Sequence, residues 1–135
     1  MARRYSAQKE IIGEALARLD HPTAAEVYEE VRRNLPQISL GTVYRNLSLM
    51  AEEGELLRLS FPEAPDRFDP NVYEHYHASC VCCGRIFDTD GTVGSGLVGE
   101  IDRAVEACTG VRVESRVMIF SGVCAACQSA TPPGK

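Results

Sequence analysis

Two Cys-x-x-Cys pairs in this chain have the spacing of ligands to one metal ion. They are Cys80 with Cys83 and Cys124 with Cys127. Two intervening residues let both thiolates of a pair reach one ion at about 2.3 Å with tetrahedral angles, which suits Zn²⁺. Gly84 permits the left-handed turn that follows such a pair. Because four sulfur ligands leave no open position, the pattern predicts a structural zinc ion.

The six cysteines allow a competing interpretation, in which the pairs form disulfides or act as a thiol redox motif. A thioredoxin-like motif requires a βαβ setting, and the sequence shows no such pattern. Cys82 lies inside the first pair and could bind the ion only with poorer geometry, so we predict a non-ligand thiol. Cys108 falls on the apolar face of a predicted helix, and we expect a small core residue there.

Histidines and carboxylates indicate a second kind of site. His75 and His77 would point to the same side of a strand, and Asp69 and Asp88 flank them. Nitrogen and oxygen ligands without sulfur favour Fe²⁺, Mn²⁺ or Zn²⁺ over Cu⁺. From spacing alone, a metal site and a purely structural or exposed role for these histidines are both open. His21, taken by itself, is a residue at a helix terminus.

Length and composition suit one ordinary domain or two small ones. The chain has 135 residues, 44% of them hydrophobic, and a net charge of −5. No apolar run approaches the roughly 20 residues of a membrane helix, and no signal peptide is evident, so we expect a cytoplasmic protein. Residues 1–60 hold eight basic and nine acidic residues, whereas residues 61–135 hold six and ten. The first half is therefore the better candidate for binding DNA.

Three helices are predicted in the first half. Ser6 could cap the first helix, and Thr23 with Glu26 has the spacing of a capping box that opens the second. Ser39 could cap the third. The face of the third helix opposite its apolar positions is short, polar and basic, which suits a helix in a major groove, although a plain solvated face is the alternative. That face comprises Gly41, Thr42, Arg45, Asn46 and Ser48.

A β-hairpin is predicted after the third helix. Apolar residues alternate with polar ones over 57–61, and 67–69 return after a turn. Three helices followed by a hairpin predict that residues 1–69 form a winged helix-turn-helix domain.

The sequence pattern of the second half predicts a small α/β domain over residues 76–128. A hinge is predicted before it at 70–75, and a flexible tail after it at 129–135. The whole chain is thus of the α+β class. Strands are predicted at 76–81 and 85–87, and a helix presents Leu97, Ile101, Ala104, Val105 and Cys108 on one face. A long strand predicted over 111–120 could pair with a second copy, which indicates a homodimer.

Several motifs together resemble the ferric uptake regulator family over about residues 5–127. They are His21-Pro-Thr-Ala, the helix Ser39-Leu-Gly-Thr-Val-Tyr-Arg-Asn-Leu47, Arg67-Phe-Asp69, His75-Tyr-His-Ala, Cys80-x-x-Cys-Gly and Gly122-Val-Cys124-x-x-Cys127. Within the family the chain is most similar to the peroxide-responsive repressors, because Asp69 stands where iron-sensing members usually carry Glu.

The resemblance implies functional residues. The regulatory Fe²⁺ or Mn²⁺ ligands of the family match His21, Asp69, His75, His77 and Asp88. On DNA, Tyr44 and Arg45 match the base-facing and phosphate-facing positions, with Thr42 and Asn46 nearby; core packing is the alternative role for Tyr44.

The function implied is that of a metal-dependent, DNA-binding repressor that senses peroxide when a ligand histidine, His21 or His75, is oxidised. Two alternatives stay open: an iron- or manganese-availability sensor of the same family that is insensitive to peroxide, and a small Cys-x-x-Cys redox protein. No hydrolytic triad or phosphate-binding loop is visible, so we do not expect an enzyme.

Overall fold

The computed structural model describes residues 2–61, 64–90 and 95–130. The chain divides into two compact units, Met1–Tyr73 and Glu74–Lys135, and each is described by itself. Among the described residues, no helix combines the length and apolar character needed to cross a membrane.

Three helices build most of the first unit: α1 (Ala2–Arg18), α2 (Ala24–Val31) and α3 (Leu40–Glu52). The predicted capping box is confirmed, since the Thr23 hydroxyl accepts from the Glu26 N–H and the Glu26 carboxylate accepts from the Thr23 N–H. Ser39 caps α3 through the Thr42 N–H. The predicted start of α1 at Ser6 is wrong, because the helix begins at Ala2 and Ser6 lies inside its first turns.

The predicted hairpin is confirmed as β1 (Leu57–Leu59) paired antiparallel with β2 (Arg67–Asp69). Apolar residues from all three helices and the hairpin form one buried core. Its members are Ile12, Ala15, Leu16, Val27, Val31, Val43, Leu47, Met50, Leu56 and Phe68. The first unit is therefore the predicted winged helix-turn-helix.

The second unit contains a three-stranded sheet of β3 (His77–Cys80), β4 (Ile86–Asp88) and β5 (Ile119–Gly122). Strand β3 lies in the middle, antiparallel to β4 and parallel to β5. Helix α4 (Ser95–Thr109) precedes β5 in the chain, and helix α5 (Ala125–Ala130) comes after β5.

The predicted long strand over 111–120 is largely wrong. Only its last two residues lie in β5, and the described residues 111–118 form no strand within this chain. The reason is register: Ile119 pairs with His77, the first residue of β3, so the preceding residues extend past the end of their neighbour.

The predicted inward face of α4 is exposed. Leu97 is 62% exposed and Ile101 48%, and Cys108 is exposed too, so its assignment to the core is wrong. Val98 is buried instead. The tail prediction is wrong for residues 129–130, which belong to α5, and its remainder at 131–135 lies outside the described residues.

Candidate metal centres and DNA-binding surface

The four predicted zinc ligands come together in the second unit. The Sγ atoms of Cys80, Cys83, Cys124 and Cys127 all lie within 4.8 Å of one another. Tetrahedral ligation at about 2.3 Å places sulfur atoms roughly 3.8 Å apart, and the Cys83 and Cys124 sulfurs are 3.9 Å apart. The cluster therefore fits a structural zinc ion.

Backbone hydrogen bonds bring the two pairs together. Cys80 ends β3, and the Gly84 N–H closes the following turn by donating to the Cys80 carbonyl at 2.8 Å. Gly84 has φ of 77°, which is the left-handed conformation that the sequence predicted. The Val81 N–H donates to the Gly122 carbonyl on the neighbouring strand, and Cys124 lies two residues beyond the end of that strand.

The electrostatics of the cluster favour a bound cation. The backbone N–H of Cys124, followed by that of Cys83, lowers the pKa of the Cys80 thiol to about 5. Hydrogen bonding with the Cys124 and Cys80 sulfurs raises the pKa of Cys127. Negative charge therefore already accumulates at Cys80, and a cation is needed to ionise all four thiols. Cys82 is exposed and lies outside this cluster, as predicted.

In the first unit, His21 and Asp69 approach each other, with His21 Nε2 3.5 Å from Asp69 Oδ2. Both residues are buried. Segment pairing explains the approach, because Thr23 forms a bridge with Arg67 and the Phe68 N–H donates to the Pro22 carbonyl at 2.9 Å. The loop after α1 therefore runs alongside β2, and Asp69 is the last residue of that strand.

His21 is held in an unusual conformation. Its φ of 47° lies in the left-handed region, which costs a non-glycine residue on the order of 1–3 kcal/mol. Arg67 Nη1 donates to the His21 carbonyl at 2.9 Å and stabilises this loop. Asp20 Oδ1 lies 2.5 Å from His21 Nδ1. A proton on Nδ1 leaves the Nε2 lone pair, on the side of Asp69, for a metal ion.

In the second unit, Asp88 lies between two histidines. Its Oδ1 is 3.3 Å from His75 Nε2 and 3.2 Å from His77 Nε2. His77 and Asp88 are directly opposite each other on β3 and β4, so strand register positions them. The rings of His75 and His77 have centroids 4.5 Å apart.

The five predicted regulatory ligands thus form two groups, one in each unit: His21 with Asp69, and His75 and His77 with Asp88. Nitrogen and oxygen ligands about 2.1 Å from one ion lie roughly 3–3.5 Å apart. The distances within both groups have these values. The donor types and spacings therefore fit a regulatory Fe²⁺ or Mn²⁺ ion.

A further set of charged residues surrounds the segment before His75. Arg116 Nε and Nη2 bind the two oxygens of Asp102 at 2.7 and 2.6 Å, and Nη1 donates to Glu74. The Tyr76 hydroxyl also donates to Glu74, and this bond, followed by that from Arg116, lowers the pKa of the Glu74 carboxyl. Asp102 and then Glu74 raise the pKa of Arg116, so the network stays charged.

The predicted DNA-contacting residues differ in exposure. Arg45 is exposed and Tyr44 is 44% exposed, so Tyr44 is available on the surface of α3. Thr42 is half-buried. Asn46 was expected on the exposed face, but it is 3% exposed, and its amide donates to the Thr42 carbonyl and to Gln8 of α1. The expectation was wrong because Asn46 faces α1.

Arg58 on β1 was missed by the sequence reasoning. Its guanidinium lies 5.6 Å from the centre of the Tyr44 ring and donates to the Ser48 hydroxyl at 2.5 Å. Asp20, Arg67 and Arg116 were missed as well. Asp20 could have been found from the sequence, because it is a polar residue next to a predicted ligand. The contacts of Arg58, Arg67 and Arg116 depend on the fold and leave no such signal in the sequence.

The chain is similar to several known proteins. The model of the family described as ferric uptake regulator matches residues 1–116. The peroxide-responsive repressor PerR of Staphylococcus aureus (strain USA300) is 35% identical over 108 residues, which cover 80% of this chain and 70% of that protein. Among solved structures, the Campylobacter jejuni peroxide stress regulator is 27% identical, with a TM-score of 0.75 and coverage of 92% and 91% of the two chains.

The Helicobacter pylori ferric uptake regulator Fur shares the fold, with a TM-score of 0.77, 22% identity and coverage of 90% of this chain and 80% of its own. The family match agrees with the sequence motifs, with the winged helix-turn-helix and with the metal centres. This chain therefore belongs to the ferric uptake regulator family.

Proposed function

We propose that this protein is a cytoplasmic, metal-dependent transcriptional repressor that responds to hydrogen peroxide. The observation that carries the proposal is the pairing of His21 with the carboxylate of Asp69 in the DNA-binding unit. A ligand pair there makes the position of the winged helix dependent on a metal ion. The 35% identical PerR supports peroxide as the signal.

We assign one regulatory ion to five ligands: His21, Asp69, His75, His77 and Asp88. The first two belong to the DNA-binding unit and the other three to the second unit. Ligation by both groups favours the state that binds DNA, and loss of a ligand shifts the population away from it. An ion held by these five residues would keep a position open for peroxide.

Sensing would change a ligand histidine covalently. A bound Fe²⁺ ion would promote cleavage of the peroxide O–O bond, and the two electrons that the peroxide accepts would come, overall, from the imidazole. One oxygen atom of the peroxide is added to a ring carbon of His21 or His75, the imidazole is oxidised by two electrons, and the other oxygen leaves as water. The oxidised ring is a poorer ligand, so the two units are no longer held in the DNA-binding state.

The DNA-binding surface is proposed to be the exposed side of α3. Arg45 would bind phosphate, and Tyr44 would contact base edges, with Thr42 beside them. Buried Asn46 is better suited to holding α1 against α3 than to touching DNA. Arg58 can orient Tyr44 through its contact with the ring.

A homodimer is the proposed DNA-binding form. Large apolar side chains are exposed on α4 and in the described segment before β5, and solvent exposure of so many apolar groups favours association. They include Leu97, Ile101, Val105, Val111 and Val117. Two-fold symmetry would place two recognition helices on one operator.

Mass spectrometry of the Fe²⁺ form after brief exposure to peroxide tests the proposal. We expect the gain of one oxygen atom on the peptides containing His21 or His75, with no gain in the Mn²⁺ form. Asp69→Glu is the matched variant, because it keeps the charge of the ligand and changes its reach. Oxidation of neither histidine would exclude peroxide sensing and favour a metal-availability sensor.

A further inference from the structure

The ion-pair network around Arg116 links three parts of the second unit. Asp102 belongs to α4, Arg116 lies three residues before β5, and Glu74 directly precedes His75. The Arg116 side chain is only 20% exposed, and its two hydrogen bonds to Asp102 form a bidentate pair. Such a planar, two-point contact defines geometry as well as charge.

The network fixes the backbone on both sides of His75. Arg116 holds Glu74 on one side. On the other side, the Tyr76 N–H donates to the Thr89 hydroxyl at 3.1 Å, and the Thr89 N–H donates to the Tyr76 carbonyl at 2.8 Å. The Tyr76 hydroxyl donates back to Glu74, which joins the two sides. His75 itself precedes β3, so these neighbours set where its imidazole lies relative to Asp88.

We propose that Arg116 is a positioning residue for the regulatory metal ion. It pairs with Glu74 and Asp102, and thereby keeps His75 at the distance from Asp88 that one ion requires. The inference rests on the proposed ligand set, in which His75 is a ligand. Arg116 itself does not bind the ion.

The sign of the effect separates positioning from simple electrostatics. Arg116 is a cation in the same unit as three proposed ligands, so removing its charge should strengthen binding of a divalent cation if Coulomb interaction alone operated. Loss of positioning has the opposite effect. Removal of groups that orient metal ligands commonly weakens metal binding about 10–100-fold.

The test is anaerobic titration of the full-length, zinc-loaded protein with Mn²⁺, with free Mn²⁺ followed by electron paramagnetic resonance. We expect Arg116→Met to weaken Mn²⁺ binding about 10–100-fold. Arg116→Lys should recover part of the loss, because it restores the charge without the bidentate contact. Arg112→Met removes the same charge from the same segment at an exposed position, and it should bind Mn²⁺ like the wild type.

Asp102→Asn provides a second variant that keeps Arg116 and nearly the same side-chain volume, and it should weaken Mn²⁺ binding in the same direction. Zinc content and circular dichroism report whether each variant is folded. Unchanged or tighter Mn²⁺ binding by both Arg116→Met and Asp102→Asn would overturn the inference alone. Failure of the wild-type protein to bind Mn²⁺ beyond its zinc would overturn the proposed function as well.

Discussion

Asp20 should control the metal affinity of His21, although it was not predicted as a site residue. The carboxylate oxygen of Asp20 lies 2.5 Å from His21 Nδ1, and His21 Nε2 lies 3.5 Å from Asp69. Asp20 therefore selects the tautomer that offers Nε2 as a ligand. In Asp20→Ala the Nδ1 proton loses its partner, and the ring is free to adopt the other tautomer or to rotate.

The magnitude follows from exposure. Loss of a group that orients a metal-bound histidine costs about 10–100-fold in metal affinity. The Asp20 side chain is 65% exposed, so water can replace part of the interaction. We therefore expect the lower end of the range, about tenfold, which is about 1.4 kcal/mol of binding free energy. Asp20→Asn should lose less, because its amide oxygen can still accept the Nδ1 proton.

Mn²⁺ titration of the zinc-loaded protein measures this effect. Glu10→Ala is the matched control, because it removes an exposed carboxylate from the same region of the chain. If Asp20→Ala binds Mn²⁺ as tightly as Glu10→Ala, the orientation of His21 by Asp20 is refuted.

Three further predictions concern zinc and DNA. Cys124→Ser should lose the zinc ion and lower the Tm of the second unit, measured by zinc analysis and thermal circular dichroism. A variant without zinc whose Tm is unchanged would contradict a structural role. Zinc binding at neutral pH should release fewer than four protons per ion, because Cys80 with its pKa of about 5 is already ionised. Calorimetry in buffers of different ionisation enthalpy counts the released protons, and release of four protons per ion would contradict this prediction. Arg58→Met should weaken operator binding several-fold by freeing the Tyr44 ring, a contact worth about 0.5–1 kcal/mol; if Arg58→Met is equally harmful in a Tyr44→Ala background, orientation of Tyr44 is not its role.

The zinc ligands were predictable from sequence because their geometry is mostly local. Two residues between cysteines define each half of the site before any tertiary structure is known, and Gly84 marks the turn after the first pair. The capping box at Thr23 and the hairpin of the first unit were predictable for the same reason. The matching Cys-x-x-Cys spacings predict that the two pairs share one ion, and the parallel register of β3 and β5 explains why they meet.

Spacing indicated His75, His77 and the flanking Asp69 and Asp88 as candidate ligands of a second site, but the assignment of His21 required the resemblance. His21 and Asp69 are distant in sequence, and the bridge between Thr23 and Arg67 brings them together with the hydrogen bond from the Phe68 N–H to the Pro22 carbonyl. No periodicity in the sequence encodes that bridge. The Arg116 network likewise depends on how α4 packs against the segment before β5.

The errors have a common physical origin. Apolar periodicity shows that one face of a helix or strand will be buried, but it does not say against what. The face of α4 with Leu97 and Ile101 is apolar yet exposed in a single chain, and the segment at 111–118 has strand-like alternation without a strand beside it in the described part of the chain. Both features are expected of a chain that associates with a second copy.

Binding of operator DNA by the Fe²⁺ and Mn²⁺ forms, with and without peroxide, tests the central claim most directly. Fluorescence anisotropy at constant salt would follow the complex. We predict that both metal forms bind, that peroxide releases the Fe²⁺ form from DNA as His21 or His75 gains oxygen, and that the Mn²⁺ form stays bound. An Fe²⁺ form that remains on the operator after peroxide treatment would contradict the account.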